Sequence, residues 1–290
     1  MLVNLSKRVA LVALGTAIGF LGLASAQSPA HADSFKTISK AQYVKTTRAM
    51  YTGEYHWKNG KRGSKIITPK GTILEIEGFN THANPDGSLK NSISLSRGDL
   101  HYDAEKNIDE VGKWLTFHPS DFKAYKLKVP YRTHILTSGT GYTTSNANRY
   151  KPAFHITIDG YLEYYSSALL KQHPNYDAEN VGIIGDRSHI KSTYSYPDYI
   201  NLFKPTATRK ISSFKVKGNT TYLYYSKPIN GLTEKKVSSH KYRLTITKNG
   251  AAQYKHWGGG DDEDFTNAQW QRYTVGGHPF FDVLSVENGD

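Results

Sequence analysis

From Tyr51 onward the apolar residues of this chain recur at alternate positions, the period of strands rather than of helices. Leu74 and Ile76 alternate with Glu75 and Glu77, Ile93 and Leu95 with Ser92, Ser94 and Ser96, and Phe154, Ile156 and Ile158 with His155, Thr157 and Asp159. Between such runs stand turn formers: Asn59-Gly60, Pro69-Lys70-Gly71, Asn84-Pro85-Asp86-Gly87, Arg97-Gly98, Asp159-Gly160, Gly218-Asn219 and Asn230-Gly231. Glycine and asparagine there supply the positive backbone angles of tight turns. The pattern predicts an all-β or β-dominated protein of antiparallel hairpins with few short helices. Glu75 and Glu77 are expected on a wet face, Trp114, Leu115 and Phe117 in the core, and Asp159-Gly160 in a two-residue type I′ turn. Helical signals are brief: the charged stretch Asp103 to Lys113, Ser167 to Gln172 before Pro174, and Pro197 to Phe203.

The run from Ser138 to Asn148 is Gly, Thr, Ser and Asn with little to bury, so it reads as a boundary. It divides the chain into an N-terminal β-rich module (51–149) and a C-terminal β-rich module (150–290), preceded by an extended lead-in at 33–50. Within the first, Lys65 to Phe79 carries Pro69-Lys70-Gly71 between two alternating runs. This segment resembles a strand-turn-strand unit of bacterial SH3-like wall-binding modules. With the Tyr- and Lys-rich hairpins at Thr220 to Tyr225 and Lys241 to Leu244, the layout resembles uncharacterised exported proteins of lactic acid bacteria. The resemblance implies a small SH3-like barrel in the N-terminal module and attachment to the cell surface. It transfers no site residue.

Ahead of the alternating region the pattern is different. Lys7 and Arg8 precede an apolar run from Val9 to Ala24, which breaks into small residues. That order predicts a secretory signal peptide cleaved after Ala32, with Ala26 as the alternative. About 16 apolar residues fall short of the ~20 that a spanning helix needs. No later run approaches that length, so no transmembrane anchor is expected.

Export changes the reading of composition. The chain has no cysteine, which excludes disulfides, thiol nucleophiles and thiolate metal ligands. Its net charge of +12 becomes +10 once Lys7 and Arg8 leave with the leader. Polyanions are the expected partners. Outside a cell these are wall or lipoteichoic acids, anionic lipids or glycans, with nucleic acid only as extracellular material.

Catalytic motifs are sparse. There is no Gly-x-Ser-x-Gly elbow, and Ser-x-x-Lys occurs at Ser120/Lys123, Ser188/Lys191 and Ser212/Lys215 with no Lys-Thr-Gly. The 12 histidines include no His-Glu-x-x-His pair, and no cofactor is implied. Asp261, Asp262 and Asp264, with Glu263, could offer oxygens to a hard cation, but they lack the spacing of an EF-hand and read first as a solvated loop. In a hydrolase of wall or glycan polymer, Asp159 and Glu163 would be the acid/base pair. Arg97-Gly98-Asp99 matches an integrin-binding tripeptide in a predicted turn.

The densest signal lies between Thr206 and His256, where 11 Lys or Arg residues face the single acid Glu234 and are interleaved with Tyr222, Tyr224, Tyr225 and Tyr242. On a strand, Lys241 and Arg243 project together while Tyr242 and Leu244 point the other way. Lys215, Lys217, Tyr222, Tyr224, Lys235, Lys236, Lys241 and Arg243 are therefore the expected binding face. The leading expectation is an exported, non-catalytic surface protein that holds anionic envelope polymers or glycans there; the alternative is the secreted hydrolase.

Overall fold

The structure is a computed structural model that describes residues 35–58, 61–97, 100–110, 112–128, 130, 135–144, 149–173, 200, 203–258 and 265–289. A helical turn, α1 (35–38), leads into β1 (Tyr43–Thr46), β2 (Met50–Lys58), β3 (Lys61–Thr68), β4 (Ile73–Ala83) and β5 (Leu89–Ser96). Then come α2 (Tyr102–Glu105), β6 (Ile108–Glu110), β7 (Leu115–Thr116) and β8 (Phe122–Tyr125). These strands form two antiparallel sheets, ordered β7-β5-β4-β1-β8 and β3-β2-β6. Val44, Leu74, Ile93, Phe117 and Phe122 pack together as the core of the five-stranded sheet.

The rest of the chain builds one large antiparallel sheet. Its strands are β9 (Leu136–Ser138), β10 (Ala153–Ile156), β11 (Tyr161–Tyr165), β12 (Ala207–Lys210), β13 (Ser213–Lys217), β14 (Thr220–Tyr225), β15 (Lys235–Ser238), β16 (Lys241–Trp257), β17 (Phe265–Val275) and β18 (His278–Gly289), with α3 (Ser167–Leu170) after β11. The order is β12-β11-β10-β9-β18-β17-β16-β14-β13, with β15 beside β16. Leu136, Phe154, Leu162, Leu223, Leu244 and Val275, from strands all along the sheet, pack into its main core, and smaller clusters form around Tyr165 and Leu170 and around Trp270 and Phe281. The sheet's two end strands are consecutive in the chain. Between them, Ile211 N donates to Gly160 O at 2.9 Å and Ser212 N to Tyr224 O at 2.8 Å.

The β-dominated, antiparallel expectation holds; the SH3-like small barrel is not found, and no closed barrel occurs among the described residues. The reason lies at Pro69-Lys70-Gly71. β3 and β4, read as one hairpin, enter different sheets, because the turn bonds to β1 instead: Gly71 N donates to Thr46 O, and Thr46 Oγ1 donates to Pro69 O at 2.7 Å. β4 then pairs with β1, Val44 opposite Leu74.

Other expectations shift with it. The extended lead-in is in fact α1 and a strand inside the five-stranded sheet, with Tyr43, Val44 and Thr46 buried. β9 precedes the division expected near Tyr150 yet belongs to the large sheet, pairing with β10 and β18. The Asp159-Gly160 hairpin exists, but its loop has three residues, 158–160: Gly160 N donates to Thr157 O and Thr157 N to Tyr161 O, with Gly160 at φ 82°. That is a turn followed by a left-handed glycine, not a two-residue type I′ turn. Trp114 is 48% exposed rather than in the core.

The two halves meet. Tyr43, Leu100 and Ile158 are buried together, with Ile73, Tyr125 and Leu127 packed around them.

Candidate functional site

Strand register assembles the expected basic face on β13, β14, β16 and β15. Lys215 stands opposite Tyr222, Tyr224 opposite Arg243, and Arg243 opposite Lys235. Directly opposed residues share a side of the sheet. Leu223, Tyr225 and Leu244 are buried on the other side, so Tyr222 and Tyr224 face outward. The Lys241 ammonium lies 4.7 Å from the Tyr224 ring centre and the Arg243 guanidinium 5.3 Å from that of Tyr222. Such cation–π contacts hold the charge against the ring while leaving its donors for a ligand. Lys217 joins the same side, opposite Thr220. Lys236 does not: it stands opposite Tyr242, and the ladder is irregular between it and Ser238.

Lys215, Lys217 and Lys235 are exposed and form no ion pair among the described residues. Glu234, the one acid nearby in sequence, is spent inward: it accepts from Ile229 N at 3.1 Å and from the Tyr225 hydroxyl. Burial pushes the Glu234 carboxyl above its usual range despite those bonds. Among the described residues, then, no carboxylate pairs with the lysines of the face.

A second basic, aromatic surface stands on β2 and β3, outside the stretch that the sequence marked. Tyr55 stands opposite Lys65 and Trp57 opposite Arg62. Tyr51 and Tyr55 meet edge to face at 5.7 Å, with the Lys65 and Lys113 ammonium groups 5.0 and 5.4 Å from the Tyr51 ring centre and the Arg62 guanidinium 5.1 Å from that of Tyr55. Arg62 also pairs with the buried Asp109. Alternation alone does not reveal it: Arg62 and Lys65 differ in parity, and the β2–β3 ladder shifts register between Tyr51 and Tyr55 and again between Tyr55 and Trp57.

Asp159 and Glu163 lie where the halves join. Glu163 is 1% exposed and accepts from Tyr102 N at 2.9 Å and Thr208 Oγ1 at 3.3 Å, while its other oxygen lies 3.3 Å from His155 Nε2. Asp159 accepts from His101 N at 3.2 Å and from Thr157 Oγ1 at 2.7 Å, and pairs with His101 Nδ1 at 2.6 Å. Two carboxylates of the large sheet therefore hold consecutive backbone N–H groups, of His101 and Tyr102, at the start of α2. Burial disfavours the charge on both partners of the His101–Asp159 pair, but their mutual attraction wins: His101 is raised and Asp159 lowered from their ordinary values.

No family model, curated protein or solved structure matches this chain. The site stands on its own geometry.

The remaining candidates divide. Asp261, Asp262 and Asp264 lie outside the described residues, as do the stretch expected to be a leader, Gly98, Asp99 and most of the stretch from Pro197 to Phe203. Among the described residues no cluster of three or more potential ligands could hold a metal ion, and no helix is long and apolar enough to cross a membrane. Arg97 is 7% exposed, with Nε 3.2 Å from Glu54 Oε1 and Nη2 donating to Thr68 Oγ1 at 3.0 Å. A guanidinium held inside cannot be displayed as an integrin ligand requires.

Proposed function

We propose that the protein is exported, stays non-covalently at the bacterial surface, and holds an anionic envelope polymer or glycan on the β13–β14–β16–β15 face. The observation that carries this reading is the outward pair Tyr222 and Tyr224, each overlaid by a cation and bordered by exposed lysines that have no acidic partner among the described residues. Phosphate groups of the polymer meet Lys215, Lys217, Lys235, Lys241 and Arg243, and its sugar or polyol units lie against the tyrosine rings. The β2–β3 surface supplies a second contact of like chemistry, and two weak contacts on one chain raise the effective affinity.

The first experiment is co-sedimentation with isolated walls, with and without teichoic acid, across a salt series. Binding should weaken with salt and with teichoic acid removal. Replacing Lys215, Lys217 and Lys235 together by Gln should flatten the plot of log affinity against log salt by about one unit for each phosphate no longer neutralised. Absence of binding at low salt sinks the proposal. Binding indifferent to salt would instead assign recognition to the aromatic rings alone.

A further inference from the structure

We infer that β13 is an acceptor strand: an extended segment of another protein, alternating apolar and acidic residues, pairs with its free edge and fills the groove beside it. β13 ends the large sheet, and no described strand pairs with its outer edge. It joins β14 through the two-residue turn Gly218-Asn219, with Lys217 opposite Thr220. In such a hairpin the pair flanking the turn is hydrogen-bonded and bonded pairs then alternate. Ser213, Lys215 and Lys217 therefore direct their backbone groups to β14. Phe214 and Val216 offer theirs to the open edge.

The side chains of those same two residues stand ready for a partner. Phe214 is 38% exposed and Val216 55%. They line a groove of about 680 Å³ whose other wall is Tyr43, Tyr125, Leu127 and Pro130. It is an open groove rather than an enclosed pocket, so a strand can lie along it. An edge strand with apolar side chains in the open is a pairing hazard unless it is covered.

Charge selects the occupant. Lys215 and Lys217 project from β13 on the side away from the groove, in register with Tyr222 and Thr220. A second copy pairing edge to edge would set lysine against lysine, which is unfavourable. A strand whose residues opposite Phe214 and Val216 are apolar and whose residues opposite Lys215 and Lys217 are acidic satisfies both sides at once. This is recognition by strand addition, in which backbone bonds give affinity and alternate side chains give specificity.

The test uses a fluorescein-labelled peptide of alternating Glu and Val and the purified protein, read by fluorescence anisotropy. The proposal expects saturable binding, with a Lys/Val peptide binding at least about tenfold more weakly. Val216→Pro removes an N–H that points away from β14, so it leaves the hairpin ladder intact and should weaken the Glu/Val peptide about tenfold. A peptide N-methylated at alternate amides, tested on the unaltered protein, should lose the same amount; this arm stands if the proline variant does not fold. Equal binding of the N-methylated and plain peptides, or no binding of the Glu/Val peptide, overturns the proposal. Wall co-sedimentation by Val216→Pro should match the unaltered protein, so failure here and failure of the polymer reading are separable.

Discussion

Glu163 gathers Tyr102 N, Thr208 Oγ1 and His155 Nε2 around one buried carboxylate. Its residue type and strand parity were visible in the sequence, but the burial that makes it a fastener came from α2, some 60 positions earlier. Glu163→Ala leaves those groups without their acceptor and should cost about 3–5 kcal/mol, read as a lower denaturation midpoint at unchanged slope. The pair at 2.6 Å between His101 and Asp159 responds to pH in two directions. Asp159 is depressed below its ordinary 3.8, so its contribution is present above that value and lost as pH falls through the folded pKa. His101 is raised above its ordinary 6.5, so its contribution is present below that value and lost as pH rises through the folded pKa. Thermal stability should therefore decline as pH rises past 6.5, and His101→Gln should flatten that decline. An identical slope in the variant would remove His101 from the account.

Turns set the elements. β17 and β18 are joined by Gly276 and Gly277, at φ 57° and 90°, with Val275 opposite His278. A Cβ on Gly277 meets nothing within 4 Å, whereas one on Gly276 would overlap the Thr233 carbonyl oxygen. Gly277→Ala should thus cost about 1–2 kcal/mol for the left-handed backbone alone, and Gly276→Ala distinctly more, measured side by side by chemical denaturation. Equal costs would mean that Thr233 yields freely. At this scale the alternation of Phe154 to Ile158 and the Gly218-Asn219 turn were legible, since both depend on near neighbours. The fate of Pro69-Lys70-Gly71 was not: turn residues announce a reversal, but Thr46, far back in the chain, decides which strand comes next.

The whole molecule is held by contacts across its halves. Tyr43, Leu100 and Ile158 bury apolar surface together, beside the bonds from His101 and Tyr102 to the two carboxylates. Calorimetry of the protein should show a single transition, and Asp159→Asn with Glu163→Gln should separate it into two. Two transitions in the unaltered protein would show that the junction couples the halves too weakly to matter.

Local, periodic features follow from the order of residues alone: antiparallel strands, their turns, and a basic tyrosine stretch whose Lys241 and Arg243 share a side because alternate strand residues must. Which strands became neighbours was settled only by folding. Register laid Lys215 and Lys235 beside the tyrosines, turned Lys236 away, built a second aromatic surface from β2 and β3, and left Phe214 and Val216 at an open edge over a groove. Pairing and burial depend on partners distant in the chain, and no pattern of near neighbours encodes them.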